Sequence, residues 1–270
     1  MRTFAPLGRR GVMVDAGLDV GAYRLLHVND PGGPAPAPGQ FYMLTAAGRW
    51  GAGEDERPYL PRAFSYMTYA DGRLAFMLED VGPGTNRLAQ LEAGDDLWLV
   101  GPLGEGFAEP SDDRRAILAG GGVGVPPLRA LAGVLDDARV RVDALLGFRD
   151  AHHAAVAEPL FQGTSLQLAS DDGSVGHHGF VTELLSAELD ADAHAVVYAC
   201  GPPAMLEAVR ALCAAGGVPA QLALEAGMAC GFGTCYGCVV PVRDGGYVRL
   251  CVDGPVLDAD RLVRVPEDAH

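Results

Sequence analysis

Basic residues are scarce and never run together. The 270-residue chain has 20 Lys+Arg against 35 Asp+Glu, a formal charge of -15 and a pI of about 4.7. A nucleic-acid binder needs a basic footprint to displace counterions from phosphates, so neither nucleic acid nor an anionic membrane surface is an expected partner. Long apolar runs are missing too. The start, MRTFAPLGRRGVMVDAGLDVG, has the Arg9–Arg10 pair, but Asp15 and Asp19 interrupt any apolar stretch behind it, so no export signal is read. The most apolar window, 116–135, contains Pro126, Pro127 and Arg129 and reads as strand, turn and helix rather than a membrane span. The expectation is a cytoplasmic protein. Charged residues reach only 20% against 49% hydrophobic, a globular rather than disordered balance. At roughly 100–200 residues per domain, the length suggests two domains and a substantial core.

Glycine and proline are plentiful, 37 and 19, so many tight turns or backbone-approach loops are expected. The stretch PGGPAPAPG at 31–39 reads as a loop between strands rather than a proline-motif ligand. Up to about residue 108, strand-like runs at 12–16, 23–28, 40–44, 63–68, 74–78 and 96–100 alternate with turn signals, which is barrel or sandwich spacing. From about 112 to 218 the pattern changes. Apolar strands at 116–119, 140–148, 166–169 and 195–199 alternate with helical stretches at 126–137, 182–187 and 203–215, the pattern of a parallel α/β sheet. The remainder, 219–270, is short and rich in Gly and Cys, and no internal repeat is visible.

Four of the six cysteines fall within the 22 residues from Cys230 to Cys251. In a reducing compartment, clustered cysteines hold metal or an iron–sulfur cluster more often than disulfides. Cys230, Cys235 and Cys238 have C-x4-C-x2-C spacing and Cys251 follows after a gap of twelve, the pattern of plant-type [2Fe–2S] proteins. Gly231, Gly233 and Gly237 allow backbone angles that let a loop wrap an inorganic core and aim N–H groups at sulfur. A four-cysteine zinc site is the rival, but zinc knuckles present paired C-x2-C hairpins, whereas here three cysteines crowd one loop. The reading is an iron–sulfur cluster.

A second signal is Gly120, Gly121, Gly122 and Gly124 directly after an apolar strand and before a helical stretch opened by Pro126 and Pro127. Such a turn lets a pyrophosphate approach the backbone at a helix N-terminus. It departs from G-x-G-x-x-G at Pro127, and it also suits a tight strand–helix connection with no ligand. Cys200, Gly201 and Pro202 follow another strand and lie where the second edge of the same crevice belongs. In the barrel segment, Arg62-Ala63-Phe64-Ser65 and the turn through Gly84 and Thr85 each pair a polar handle with tight backbone, features that ordinary barrels also have.

Together these pieces resemble the ferredoxin–NADP reductase superfamily and, within it, the electron-transfer subunits of NAD-linked type B dihydroorotate dehydrogenases. The resemblance is carried by PGQFYML at 38–44, RAFS at 62–65, VGPGT at 81–85, GPLGEGF at 101–107, GGGVGVPPL at 120–128, DDGSVGHHGFVT at 171–182, CGPPAML at 200–206, EAGMACGFGTCYGCVV at 225–240 and CVDGP at 251–255. It implies a β-barrel plus α/β architecture: an antiparallel FAD-binding barrel at 1–110, a parallel-sheet NAD-binding domain at 111–218 and a small [2Fe–2S] domain at 219–270. It implies FAD contacts from Arg62, Ala63, Phe64 and Ser65, with Met77, Leu78 and Glu79 lining the flavin and Gly84 and Thr85 at its pyrophosphate. Ala63 stands where the family commonly has proline. Cys230, Cys235, Cys238 and Cys251 fall on the family's four cluster ligands. NAD as substrate, an FMN-containing dihydroorotate-oxidising partner and a heterotetramer of two of each subunit are likewise what the resemblance implies.

No residue is read as a base that oxidises dihydroorotate. Arg149 and Asp150 do not decide NAD against NADP, because the acid favours a free ribose hydroxyl and the base a phosphate. Cys200 is read either as a nicotinamide neighbour or as a buried small thiol, and Cys213 as core. His177 and His178 read as solvent-facing, while His27, His152, His153, His194 and His270 show no ligand spacing. Two other classes stay open: a diaphorase-type subunit of another redox complex, and a zinc-stabilised binding module.

Overall fold

The computed structural model describes residues 9–48, 50 and 58–266. In the first hundred residues, alternating apolar and polar positions make strands with one inward face. β1 (Arg9–Val20) buries Val12 and Val14 and leaves Met13 between them exposed. β2 (Tyr23–Asn29), β3 (Phe41–Ala46), β4 (Arg62–Ala70), β5 (Arg73–Glu79), helix α1 (Pro83–Ala89) and β6 (Asp96–Leu103) follow. The six strands close into an antiparallel barrel in the order β1-β2-β5-β4-β3-β6, with Leu26, Leu44, Phe76, Leu97 and Leu99 in its core. Closure leaves no open sheet edge. The turn expected at 82–85 opens a helix. Pro83 sits in the first turn of α1, where no N–H is needed, and Thr85 Oγ1 accepts from the N–H groups of Val81 (2.9 Å) and Gly82 (3.0 Å).

Beyond residue 114 the chain runs through β7 (Arg115–Gly121), α2 (Val125–Asp137), β8 (Val142–Phe148), α3 (Ala151–Ala154), α4 (Ala157–Leu160), β9 (Ser165–Ser170), β10 (His177–His178), α5 (Val181–Ala191), β11 (Ala195–Cys200), α6 (Pro203–Gly216) and β12 (Ala220–Ala223). A β13 (Val239–Pro241) and β14 (Tyr247–Arg249) hairpin, α7 (Leu250–Asp253) and β15 (Val256–Asp258) complete it. Seven strands form one sheet in the order β10-β9-β8-β7-β11-β12-β15, parallel except for the β12–β15 pair. β7 and β11 are buried along their whole length, as central strands covered on both faces must be. β12 and β15 flank the four cysteines in sequence, so the chain leaves this sheet, forms the cysteine segment and returns to the sheet edge. Among the described residues no helix is long and apolar enough to cross a membrane.

The cysteine segment is packed on the barrel. Gly231 lies against the side chains of Met43 and Leu103, and the Glu105 N–H donates to the Gly254 carbonyl at 2.5 Å. Phe107 N–H donates to the Pro38 carbonyl (2.7 Å) and Gln40 Nε2 to the Gly104 carbonyl (2.7 Å). The segments 38–44, 101–107 and 251–255 thus meet at one place.

At the base of β7, Arg115 is only 5% exposed and holds the sheet to α5. It donates to Asp143 Oδ2 (2.8 Å), Glu188 Oε2 (2.7 Å), the Glu188 carbonyl (3.0 Å) and the Asp192 carbonyl (2.8 Å). Arg115→Leu leaves the buried Asp143 carboxylate only Ser165 and the exposed Arg141, 3.2 Å away, an expected loss of about 3 kcal/mol readable by denaturant unfolding. Burial pushes the Asp143 carboxyl up, but hydrogen bonds from Arg115 and Ser165 and the charges of Arg141 and Arg115 outweigh it, so it titrates below the ordinary range. A carboxyl lowered in the folded state stabilises above its unfolded pKa and loses that stabilisation as pH falls through the lowered value. Acid unfolding curves of Asp143→Asn protein are therefore expected to be flatter below about pH 4 than those of the wild type.

Candidate functional site

Two cavities open at the C-terminal ends of the parallel strands, where open α/β sheets place their ligands. The first, about 340 Å³, lies between barrel strands β4 and β5 and the ends of β11 and β12. Of the residues expected at a flavin, Ala63, Phe64, Ser65, Met77, Glu79 and Thr85 line it, and so does Cys200. Arg62 does not. Its Nη1 donates to the Leu60 carbonyl at 2.8 Å, its guanidinium lies 5.9 Å from the centre of the Trp50 ring, and Gly84 in the first turn of α1 packs against it. Leu78 is buried in the barrel core, on the opposite face of β5 from Met77.

The second cavity, about 510 Å³, is walled by Gly121 and Gly122, Gly147 to Arg149, Asp171, the 179–182 stretch, Pro202 and Met205. The four glycines of the turn do different work. Gly122 has φ +53 and no heavy atom nearer than the Tyr23 hydroxyl at 4.0 Å from where a Cβ would stand, so its backbone is open to a ligand. Gly124 faces away from that cavity, and a Cβ there would strike the Cys200 carbonyl and the Gly201 nitrogen. Gly120 packs under Leu128 and Leu146, and Gly201 against Met205 and the Gly121 nitrogen. Gly121 and Gly122 both line the second cavity, Gly121 against Met205 and Pro202 and Gly122 in the open, while Gly120, Gly124 and Gly201 let the two glycine turns touch.

Cys200 is buried, pairs in register with Gly120 and Ala223, and faces the first cavity. Burial pushes its thiol well above the ordinary range, and the neighbouring Glu225 carboxyl adds to this. Glu225 is exposed at the mouth of the same cavity, where partial desolvation raises its carboxyl. Cys213 is core on the inner side of α6. His177 and His178 are exposed, and His177 Nε2 pairs with Glu183 Oε2 at 2.5 Å. His270 lies outside the described residues.

The four clustered sulfurs stand as two linked pairs. Cys238 Sγ and Cys251 Sγ are 3.2 Å apart and buried, whereas Cys230 is half-buried beside the exposed Cys235. Among the described residues no group of three or more His, Cys, Asp or Glu is placed to hold a single metal ion. Burial pushes the Cys230 thiol up, but N–H groups of Cys235, Phe232 and Thr234, with the Cys235 side chain, bring it down to about 6. Burial raises the Cys251 thiol to about 12, and Cys238 beside it adds to the rise. Gly231 and Gly233 adopt φ +77 and +86, while Gly237 does not have positive φ and instead aims its N–H at Cys235 Sγ, 3.4 Å away. Two pairs of thiols with N–H groups turned toward sulfur fit a two-iron core held by four cysteines.

Residues 225–263 match the model of the iron-sulfur cluster binding domain of dihydroorotate dehydrogenase B. The chain is 38% identical over 232 residues to the dihydroorotate dehydrogenase B (NAD(+)), electron transfer subunit, of Geobacillus kaustophilus, covering 84% of this chain and 86% of that one. It belongs to that family. The same-named subunit of Geobacillus thermodenitrificans is 40% identical over 237 residues, again with 84% and 86% covered. Among solved structures, an NADH-dependent reduced ferredoxin-NADP oxidoreductase superposes with TM-score 0.79 at 23% identity, over 97% of this chain and 91% of that one. A ferredoxin reductase of carbazole 1,9a-dioxygenase gives 0.69 at 23% identity, over 79% and 67%. These two likenesses concern the fold, a barrel followed by a parallel sheet.

For this electron transfer subunit, inspection of the sequence passed over Glu225, Met228, Tyr23 and Phe180 as cavity residues. Glu225 opens the cysteine motif and carried the only available signal. Tyr23 and Phe180 come from strand and loop positions whose side-chain direction no local pattern reveals.

Proposed function

We propose that this chain carries electrons between NAD and an FMN-containing, dihydroorotate-oxidising catalytic subunit in pyrimidine biosynthesis. One observation carries the reading: the cavity under Ala63, Phe64 and Ser65 adjoins the one over Gly121 and Gly122 at Glu79, and its far wall, Ala226 and Met228, belongs to the four-cysteine segment. Ser65, Thr85 and the backbone around them hold FAD in the first cavity, with Arg62 and Gly84 at its pyrophosphate end and Met77 and Glu79 against its ring. Gly121 and Gly122 receive the dinucleotide pyrophosphate, and Cys200 and Pro202 stand beside the nicotinamide. Cys230, Cys235, Cys238 and Cys251 hold a [2Fe–2S] cluster. When bound, these groups supply hydride and single-electron chemistry, while the protein supplies position and environment. Phe41, Phe64 and Met228 give the flavin cavity apolar walls.

Divided by function, the chain has an FAD unit at 1–110, an NAD unit at 111–218 and a cluster unit at 219–270. It works in the cytoplasm in a heterotetramer of two subunits of each kind. Anaerobically purified protein is expected to contain about one FAD, two irons and two acid-labile sulfides per chain. Stoichiometric zinc without iron would overturn the cluster assignment. Co-purification with a redox enzyme other than a dihydroorotate-oxidising subunit would overturn the choice of partner.

A further inference from the structure

Glu79, at the end of β5, lines both cavities. Its carboxylate is not left free. His153 of α3 reaches it from the parallel sheet, with Nε2 3.6 Å from Glu79 Oε1, too long for a hydrogen bond but in contact. On its other side, His153 Nδ1 lies 2.7 Å from Asp150 Oδ1, and the same oxygen accepts the His153 backbone N–H at 2.9 Å. The imidazole is therefore clamped by Asp150, and its ring meets Tyr23 edge-on at 5.9 Å and His152 at 6.0 Å. Gly21, in the turn between β1 and β2, rests on the His152 carbonyl. The groups around His153 are thus Tyr23 from β2, Glu79 from β5, Arg149 and Asp150 from the β8–α3 connection, and His152 from α3 itself. Barrel and sheet are joined at the point where the two cavities meet.

We propose that Glu79, positioned by the Asp150–His153 pair, sets how strongly this site prefers an oxidised nicotinamide dinucleotide to a reduced one. The two forms differ at one place: the oxidised ring is a cation and the reduced ring is neutral. A fixed carboxylate at the junction attracts the first and is indifferent to the second. A free glutamate side chain would spend rotamer entropy to take up that position at each binding event, and packing beside the Asp150-held His153 lowers that cost beforehand. Glu79 is the specificity-determining residue and His153 a positioning residue that acts through it. The proposal rests on the reading that flavin and dinucleotide occupy the two cavities.

The test is equilibrium dialysis on the oxidised holoprotein, comparing NAD⁺ with 1,4,5,6-tetrahydro-NAD, whose neutral ring cannot donate hydride. Glu79→Gln is expected to reduce the preference for NAD⁺ about threefold to fivefold, the worth of a partly exposed charge pair, with affinity for the neutral analogue unchanged. His153→Gln is expected to reduce the preference by part of that factor, and to have no further effect in the Glu79→Gln background. Equal weakening of both ligands in Glu79→Gln overturns the proposal. An effect of His153→Gln that persists in the Glu79→Gln background shows a merely structural histidine and overturns the positioning role. Gly122→Val separates the underlying reading: undiminished binding of both ligands to that variant means the dinucleotide lies elsewhere, and the proposal falls with the cavity assignment. Weakened binding of both keeps the assignment, so that an unchanged preference in Glu79→Gln then counts against the proposal alone.

Discussion

Cys235→Ser protein, prepared anaerobically, is expected to lose its iron, its acid-labile sulfide and the visible absorption that accompanies them. Cys235 is the exposed member of the cysteine set and contributes little to packing, so its loss removes a ligand without opening a hole in the core. Cys238→Ser and Cys251→Ser are expected to lose the same signals and stability as well, because both sulfurs lie in the apolar cluster that includes Val240, Leu250 and the barrel residues Phe41, Met43 and Leu103. Cys213→Ser, altered in the same cluster but far from the cysteine loop in sequence, is expected to keep iron and spectrum. The contrast separates ligation from packing. Full iron content in Cys235→Ser protein would show that the ligand set is wrong. A Cys235→Ser protein that keeps FAD is further expected to retain NADH–ferricyanide activity and to lose transfer between dihydroorotate and NAD⁺ when the catalytic partner is present.

Gly122→Val is expected to do the reverse. At φ +53 a β-branched residue is strained by roughly 1–3 kcal/mol, and its side chain would stand in the cavity where backbone must approach phosphate. Reaction with NADH should slow by roughly tenfold or more, even with ferricyanide as acceptor, while FAD and iron content stay at wild-type levels. Gly124→Ala is the instructive neighbour. Its Cβ would meet the backbone of Cys200 and Gly201, so the expected loss is in folding stability rather than in NADH affinity alone. Stopped-flow reduction and thermal unfolding of the two variants distinguish the outcomes. Wild-type reduction rates in Gly122→Val protein would remove the turn from the dinucleotide site.

Much of the fold was legible in the chain because its strands obey simple periodicities. The barrel strands alternate, as β6 does with Leu97 and Leu99 inward, and the central parallel strands are apolar throughout. The helix at 83–89 was not legible, since Gly82, Pro83 and Gly84 read as a turn until Thr85 is seen capping the backbone before it. β15 was equally hidden. Three residues cannot show a period, and its partner β12 lies some thirty residues upstream, across the cysteine segment.

Spacing alone pointed to the sulfur chemistry, with zinc left as a rival, because a four-cysteine loop motif is a local property of covalent chain length and glycine placement. The glycine turn was likewise local, a run of glycines between an apolar strand and a helix. Tertiary structure decided which of those glycines line a cavity: Gly121 and Gly122 do, Gly122 alone with open space before it, and Gly120 and Gly124 are consumed by packing. It also decided that Leu78 belongs to the barrel core, that Glu225 and Cys200 share a cavity, and that Glu79 touches His153 across the seam between barrel and sheet. The physical reason is the same in each case. Residue type and short-range spacing specify what a segment can do chemically, but side chains far apart in sequence become neighbours only when the barrel closes and the sheet packs against it.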